Sequence, residues 1–141
     1  MSPAGRLAWH LALAAAAAAC TPPDPGTDFR GMSDHFAFRI SANPLPPHAR
    51  EKTRYKVVVR DKDSGQPIQQ GEGRIFASDS THSLNPWDVL IRGPEVGTYY
   101  ATLDFVTPGN WALAVQFRRD STQKLERVDW LQEVKNARGE R

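Results

Sequence analysis

One short stretch of the chain contains the residue types of a hydrolytic triad. Ser78, Asp79 and His82 stand within five positions of one another. A working triad needs a nucleophile on a rigid turn and a base that a third group orients, and neighbours in one loop seldom reach that geometry. The chain also has no Gly-x-Ser-x-Gly elbow and no His-Glu-x-x-His motif. We therefore predict a solvated loop without catalytic residues, with a small hydrolase as the remote alternative.

The histidines are the next candidates, as ligands of a metal ion. His35, His48 and His82 are 13 and 34 positions apart. A ligand cluster usually shows short spacing or several donors on one element. These three residues are therefore predicted to be ordinary polar surface side chains.

A second metal pattern lies further along the chain. Asp61, Asp63 and Glu72 occupy the first, third and twelfth positions of a calcium-loop register. The sixth position is Gln66, where the sharp turn of such a loop requires glycine. A polar hairpin turn explains the pattern better, so the sequence predicts no metal site and no cofactor.

Trp87 is the most distinctive candidate for binding. It follows Asn85-Pro86 near the end of the segment 78–88. An exposed tryptophan beside His82 and Asp88 would suit contact with a protein or sugar partner. The alternative is that Trp87 covers one open end of the domain. Trp87, His82 and Asp88 are the candidate partner contacts.

Cys20, the single cysteine, marks a processing site. Residues 1–19 carry one charge, Arg6, followed by an apolar run that ends in alanines, which is the layout of a signal peptide. Ala17-Ala18-Ala19-Cys20 resembles the lipobox of bacterial lipoproteins, in which the cysteine receives the acyl chains and becomes the new amino terminus. Because Ala-x-Ala also suits ordinary signal peptidase, plain secretion is the alternative.

The charge balance indicates which partners to expect. Cleavage before Cys20 leaves 17 basic against 16 acidic residues. The sequence shows no run of Lys and Arg of the kind that releases phosphate counterions, so no nucleic-acid partner is predicted. The membrane contact is predicted to run through lipid on Cys20 and not through a basic patch. The predicted location is the cell envelope, facing the periplasm or the exterior, and Thr21 after the cysteine favours an outer membrane where one exists.

The mature chain divides into a linker, one domain and a tail. Residues 20–32 begin with the lipidated cysteine and a proline-rich run that is too polar to pack, so they are predicted to form an extended tether. Residues 33–136 suffice for one hydrophobic core. Residues 137–141 are predicted to be a polar tail.

Within the domain the dominant pattern has period 2, which is typical of half-buried strands. The four clearest stretches surround Phe38, Val57, Leu103 and Val115, and proline- and glycine-rich turns separate them. Two shorter pieces, 74–78 and 88–92, and a last segment, 125–134, bring the total to about seven strands. The predicted fold is all-β, an immunoglobulin-like antiparallel sandwich preceded by a signal helix and a flexible linker.

The last segment also fits helical spacing, through Leu125, Val128 and Leu131. We favour a strand, because pairing with the stretch 111–118 would close the sheet and give Trp130 a partner across the strands. A lone terminal helix would need a groove of its own.

Two local patterns together suggest a family. The run Glu95-Val96-Gly97-Thr98-Tyr99-Tyr100-Ala101 resembles the start of a late immunoglobulin strand, in which a tyrosine bonds back to the chain; Tyr99 takes that role, and Ala101 stands for the disulfide cysteine. The run from Pro108 to Val115 is a tight turn into a strand whose Trp111 fills the core. In this order they resemble the YtkA-like and FixH-like family of extracytoplasmic sandwich domains, over residues 36–134.

Such relatives are placed near copper handling or cytochrome oxidase assembly, and the resemblance implies methionine and histidine in the loop 78–88. This chain has only His82 there, and its one mature methionine is Met32. Copper prefers several soft or imidazole donors. We therefore favour a non-enzymatic binding or assembly module, with a periplasmic copper carrier or chaperone as the alternative.

Overall fold

The computed structural model describes residues 28–140, and the sequence predictions for residues 1–19, Cys20 and the linker up to residue 27 lie outside them. The described residues form nine strands. Their bounds are β1 Asp28–Met32, β2 Phe36–Asn43, β3 Lys52–Asp61, β4 Glu72–Ser78, β5 Trp87–Val89, β6 Ile91–Arg92, β7 Thr98–Asp104, β8 Gly109–Arg118 and β9 Glu126–Val134. Among the described residues, no helix has the length and hydropathy needed to cross a membrane.

The strands form two antiparallel sheets. The first sheet has the order β1-β2-β3-β7-β6 and the second the order β5-β4-β8-β9. Strands β2-β3-β7-β6 follow the order A-B-E-D of an immunoglobulin constant-type sandwich, and β4-β8-β9 follow the order C-F-G. β1 and β5 are additional strands at the edges. The predicted all-β sandwich is confirmed.

The predicted strand over 88–92 is in fact two strands. Leu90 is buried, and its amide donates to the Gly73 carbonyl at 2.9 Å, which fixes the point where the chain leaves the second sheet for the first. The sandwich has nine strands and not about seven, because this segment is divided and β1 is added.

The domain begins earlier than residue 33. Asp28–Met32, predicted as linker, pairs with β2 along its whole length. Its inward positions are Phe29, which stacks on Trp130 with ring centroids 5.0 Å apart, and Gly31. Gly31 leaves Phe29 as the one large apolar side chain that faces inward, while the apolar Met32 faces outward, so the period-2 pattern is too weak to detect.

The core lies between the sheets and is built from the inward positions of the long strands. Its largest fully buried side chains are Trp111, Tyr55, Tyr99, Phe36, Phe105, Phe117, Ile75, Leu103 and Leu113. The last segment is a strand, as predicted, and β9 pairs with β8 from Phe117 opposite Glu126 to Gly109 opposite Val134. Trp130 stands opposite Leu113 and is half-buried.

Tyr99 does bond back to the chain, but from another strand than the resemblance implies. Its hydroxyl donates to the Ile68 carbonyl at 2.9 Å, 31 positions upstream. Tyr99 lies on β7, which takes the place of strand E, whereas the tyrosine of immunoglobulin domains lies on strand F. Ala101 also lies on β7, next to β3 in the first sheet, so it does not correspond to the strand F cysteine of the inter-sheet disulfide.

Candidate functional site

The loop between β4 and β5 is organised around one carboxylate. Asp79 accepts hydrogen bonds from the Thr81 hydroxyl at 2.5 Å, the Leu84 amide at 3.2 Å and the Ser83 hydroxyl at 3.4 Å. The bond from Thr81 is the main cause of a pKa for Asp79 below its usual value, against the opposing effect of desolvation. Asp79 is therefore a structural residue of this loop.

Ser78 and His82 come together, but without a third catalytic partner. The Ser78 hydroxyl lies 2.9 Å from Nδ1 of His82, whose backbone adopts a positive φ of 56°. Within residues 28–140 no carboxylate lies at hydrogen-bond distance from the His82 ring, since Asp79 is held by its own loop. A hydrolytic base needs such an orienting group.

Trp87 and Asp88 lie on β5 and point in opposite directions. Trp87 is 62% exposed on the outer face of the second sheet, so the alternative in which it covers an open end of the domain does not hold. Asp88 accepts a bond from the Thr102 amide at 2.7 Å and one from the Val89 amide at 2.9 Å. Of the three predicted contact residues, Trp87 alone is presented outward from a strand, while Asp88 ties β5 to the first sheet.

Side chains from neighbouring strands surround Trp87. Phe76 of β4 is its direct cross-strand neighbour and is half-buried. The guanidinium carbons of Arg127 and Arg74 lie 4.8 and 5.4 Å from the centre of the Phe76 ring. Val89, half-exposed, stands opposite Arg74. We call these five residues the Trp87 surface.

Sequence reasoning missed most of the Trp87 surface. An aromatic residue at the outward position of the run Arg74-Ile75-Phe76-Ala77 was the available signal. Arg127 is 51 positions from Phe76 in sequence and reaches it only through the pairing of β4 with β8 and of β8 with β9.

The histidines that were considered as metal ligands lie in separate places. His35 lies 3.0 Å from a carboxylate oxygen of Glu126 at the start of β9, whereas His48 bridges to Lys135 just beyond its end. Nine residues of strand span roughly 26 Å, so these two histidines lie far apart. No group of three His, Cys, Asp or Glu residues that could hold a metal ion occurs in the described part of the chain.

The calcium-like register forms a turn, as the sequence indicates. Asp61 accepts bonds from the Ser64 and Asp63 amides, both at 2.9 Å, and the first of these is the main cause of its lowered pKa. Glu72 instead pairs with Arg118 at 2.6 Å. These groups hold a hairpin and do not converge.

An unpredicted opening lies between β1 and β9, at the side of the sandwich. It has a volume of about 260 Å³, and aromatic side chains, including Phe29, Tyr55 and Trp130, line it. The buried Tyr55 hydroxyl has no hydrogen-bond partner in the structure described. Burial raises the pKa of this phenol.

The sequence shows no run of Lys and Arg, but strand pairing gathers cations on one face of the structure. Strand alternation places six on the outer face of the first sheet, together with two carboxylates. The cations are Arg30, Arg39, Lys52, Arg54, Lys56 and Arg60, and the carboxylates are Asp28 and Asp104. We call this surface the basic face; it was missed because its members come from different strands.

The comparisons with known proteins bear on the fold. No family profile matches the chain, and no curated protein matches it. Among solved structures, the chain is similar to the crystal structure of a DUF4426 family protein from Pseudomonas aeruginosa PAO1. The TM-score is 0.59 at 11% sequence identity, over 77% of this chain and 95% of that one. A likeness at this identity supports the sandwich fold alone.

Proposed function

We propose that this protein is a non-enzymatic binding or assembly module, held in the cell envelope by lipid on Cys20, and that the Trp87 surface is its contact for a protein partner. The observation that carries this proposal is the placement of Trp87, which is 62% exposed on a regular strand. Exposed tryptophan is strongly enriched among the residues that dominate binding energy at protein interfaces.

The Trp87 surface is held in place before any partner arrives. The bond from the Thr102 amide to Asp88 ties β5 to β7, and the Ala77 amide donates to the Pro86 carbonyl at 2.9 Å just ahead of Trp87. A contact residue that is already ordered loses little conformational freedom on binding, so more of its contact energy appears as affinity. Its rim is polar, with the Arg127 to Asp129 ion pair at 2.6 Å, as is usual at transient interfaces.

The non-enzymatic part of the proposal is supported by the Ser78 and His82 pair, because no carboxylate in the described stretch 28–140 orients the His82 ring. The anchoring part is supported by the sequence around Cys20 and by the position of the first strand. Only seven residues separate Cys20 from Asp28, where β1 begins. We also propose kinship with the YtkA-like and FixH-like domains, which rests on the two sequence patterns around Tyr99 and Trp111.

Site-specific photo-crosslinking in native envelopes tests the contact surface. A photoreactive amino acid at position 87 should give a discrete protein adduct. The matched control is position 131, since Leu131 is 80% exposed on the outer face of the same sheet, at its opposite edge. Equal adducts from both positions, or none from position 87, would count against the proposal.

A further inference from the structure

The basic face is concentrated on the β1, β2 and β3 side of the first sheet. Arg30 stands directly opposite Arg39, and Arg60 stands opposite Ala37. Like charges placed directly opposite each other on neighbouring strands destabilise a sheet. Asp28 compensates Arg39 at 2.5 Å, and Glu95, from the connection before β7, lies 3.6 Å from Lys56. The strand positions of this face carry a net charge of +4.

A shallow hollow lies among these cations. Its volume is about 400 Å³. The side chains around it are Arg30, Arg39 and Arg60 together with the apolar Met32, Ala37 and Val58. Met32 is 71% exposed at the rim. Cations around exposed apolar side chains are the composition of surfaces that rest on anionic lipid, where the charges meet phosphate groups and the apolar groups enter the interface.

The other sheet presents a different surface. Its outer face includes Glu72, Asp129 and Glu133 as well as Arg74, Arg118 and Arg127, and it has no comparable excess of positive charge. The two faces of the sandwich therefore differ in what they attract, although the mature chain as a whole is nearly neutral.

The geometry points to the membrane itself as the occupant: we propose that the basic face docks on the anionic phospholipid surface to which Cys20 anchors the chain. This rests on the proposed lipid anchor. The path from Cys20 to Asp28 is eight residue steps, which reach at most roughly 29 Å. β1 is at once the strand that receives this tether and the edge of the basic face.

Anchoring and docking support one another physically. The short tether converts docking into an intramolecular event at high effective concentration, so modest attraction suffices. Each cation near an anionic bilayer contributes about a fivefold factor to binding, and salt screens it. Docking in this orientation leaves the Trp87 surface, which lies on the opposite sheet, facing away from the bilayer and open to a partner.

The experiment uses the lipidated protein in vesicles. Met32→Cys places one free thiol on the basic face, because Cys20 is blocked by lipid, and Leu131→Cys places one on the other sheet. With an environment-sensitive dye in vesicles of phosphatidylglycerol and phosphatidylethanolamine, we expect position 32 to be shielded from a water-soluble quencher. Shielding should vanish in phosphatidylcholine vesicles or in high salt, and position 131 should be accessible throughout.

Charge variants test whether the shielding of position 32 depends on the basic face. Arg30→Gln with Arg60→Gln removes two charges, each worth about a fivefold factor, and should weaken docking about 25-fold. Arg118→Gln with Lys124→Gln removes the same charge from the second sheet and the β8 to β9 connection, and should leave docking unchanged. Loss of shielding with both pairs would overturn the assignment to the basic face.

The outcomes separate the two proposals. Protein that floats with the vesicles while position 32 stays accessible would overturn docking and leave the anchor intact. If Cys20 proves to be unmodified, the anchor fails, and docking is then decided by co-flotation of the unlipidated chain: salt-sensitive binding to the phosphatidylglycerol vesicles supports it, and no binding overturns it. Salt-sensitive binding of a DNA oligonucleotide without any response to vesicles would also overturn the choice of lipid.

Discussion

The hydroxyl of Ser33 donates a hydrogen bond of 2.7 Å to the carboxylate of Glu126, across 93 positions of sequence. The amide of His35 donates to the same oxygen, also at 2.7 Å. Ser33 and His35 belong to the turn between β1 and β2, and Glu126 is the first residue of β9. One side chain therefore ties the first hairpin of the domain to its last strand.

This clamp predicts a pH-dependent stability. Burial disfavours the charged form of Glu126, but the bonds from Ser33 and from the amide and ring of His35 outweigh it and lower the pKa of the carboxyl. A depressed pKa stabilises the fold at pH values above the unfolded-state pKa of about 4.3. This contribution is lost as the pH falls through the folded-state pKa. Glu126→Gln should therefore cost about 1 to 3 kcal/mol at neutral pH and much less in acid.

Urea denaturation at neutral and acidic pH measures this difference. Glu133→Gln is the control, because its ion pair with Lys135 is exposed and should matter little at either pH. An equal loss for Glu126→Gln at both pH values would show that the carboxylate charge is not the cause.

The tryptophans predict opposite effects on stability and binding. Trp111 is 1% exposed, and its indole donates to the Thr107 carbonyl at 3.1 Å. Trp111→Ala should cost about 3 to 5 kcal/mol. Trp87→Ala should change stability by less than about 0.5 kcal/mol while abolishing capture of the protein that crosslinks to position 87. Thermal denaturation distinguishes the two, and a large stability loss from Trp87→Ala would contradict its assignment as a contact residue.

Two buried tyrosines form a matched pair. The Tyr55 hydroxyl has no partner among the described residues, so Tyr55→Phe should be neutral or stabilise the fold by about 1 kcal/mol. Tyr99→Phe leaves the Ile68 carbonyl without its donor and should destabilise by about 1 to 3 kcal/mol. Denaturant titration of both variants tests this. A clear loss from Tyr55→Phe would show that its hydroxyl is paired in solution.

The proposed lipid anchor predicts a definite amino terminus. Mass spectrometry of the mature protein should find Cys20 as the first residue, carrying acyl chains, and Cys20→Ser should release the protein from membranes. A mature chain that starts elsewhere, or with an unmodified residue, would favour plain secretion.

The sequence allowed prediction of the features that depend on alternation within one strand. The positions of Trp111, Leu113, Val115 and Phe117 predict β8 and its buried face, and all four are in the core. Features that depend on register between strands were not predictable. Arg30 and Arg39 are nine positions apart along the chain, and only the pairing of β1 with β2 places them side by side.

For the candidate site too, residue types were predictable, whereas orientations that depend on strand pairing were not. Trp87 could be named as a contact residue from its type and its loop, but its orientation depends on pairing with Phe76. Asp88 was expected beside it on the surface, and alternation turned it towards Thr102 instead. His82 was correctly placed in the loop, where it contacts Ser78 and not Trp87.

β9 forms one edge of the second sheet, and this edge affects how copies of the protein behave when they are crowded together. Among residues 28–140, no strand pairs with the outer edge of β9, whose other edge is joined to β8. Copies held on one bilayer by the proposed lipid would meet at similar heights, and an exposed nine-residue edge is a template for stacking copies into fibrils. The outward side chains of β9 are Arg127, Asp129, Leu131 and Glu133, so charges flank the single apolar position. Those charges act as gatekeepers, and replacing Asp129 and Glu133 with valine should turn a dispersed population into aggregates.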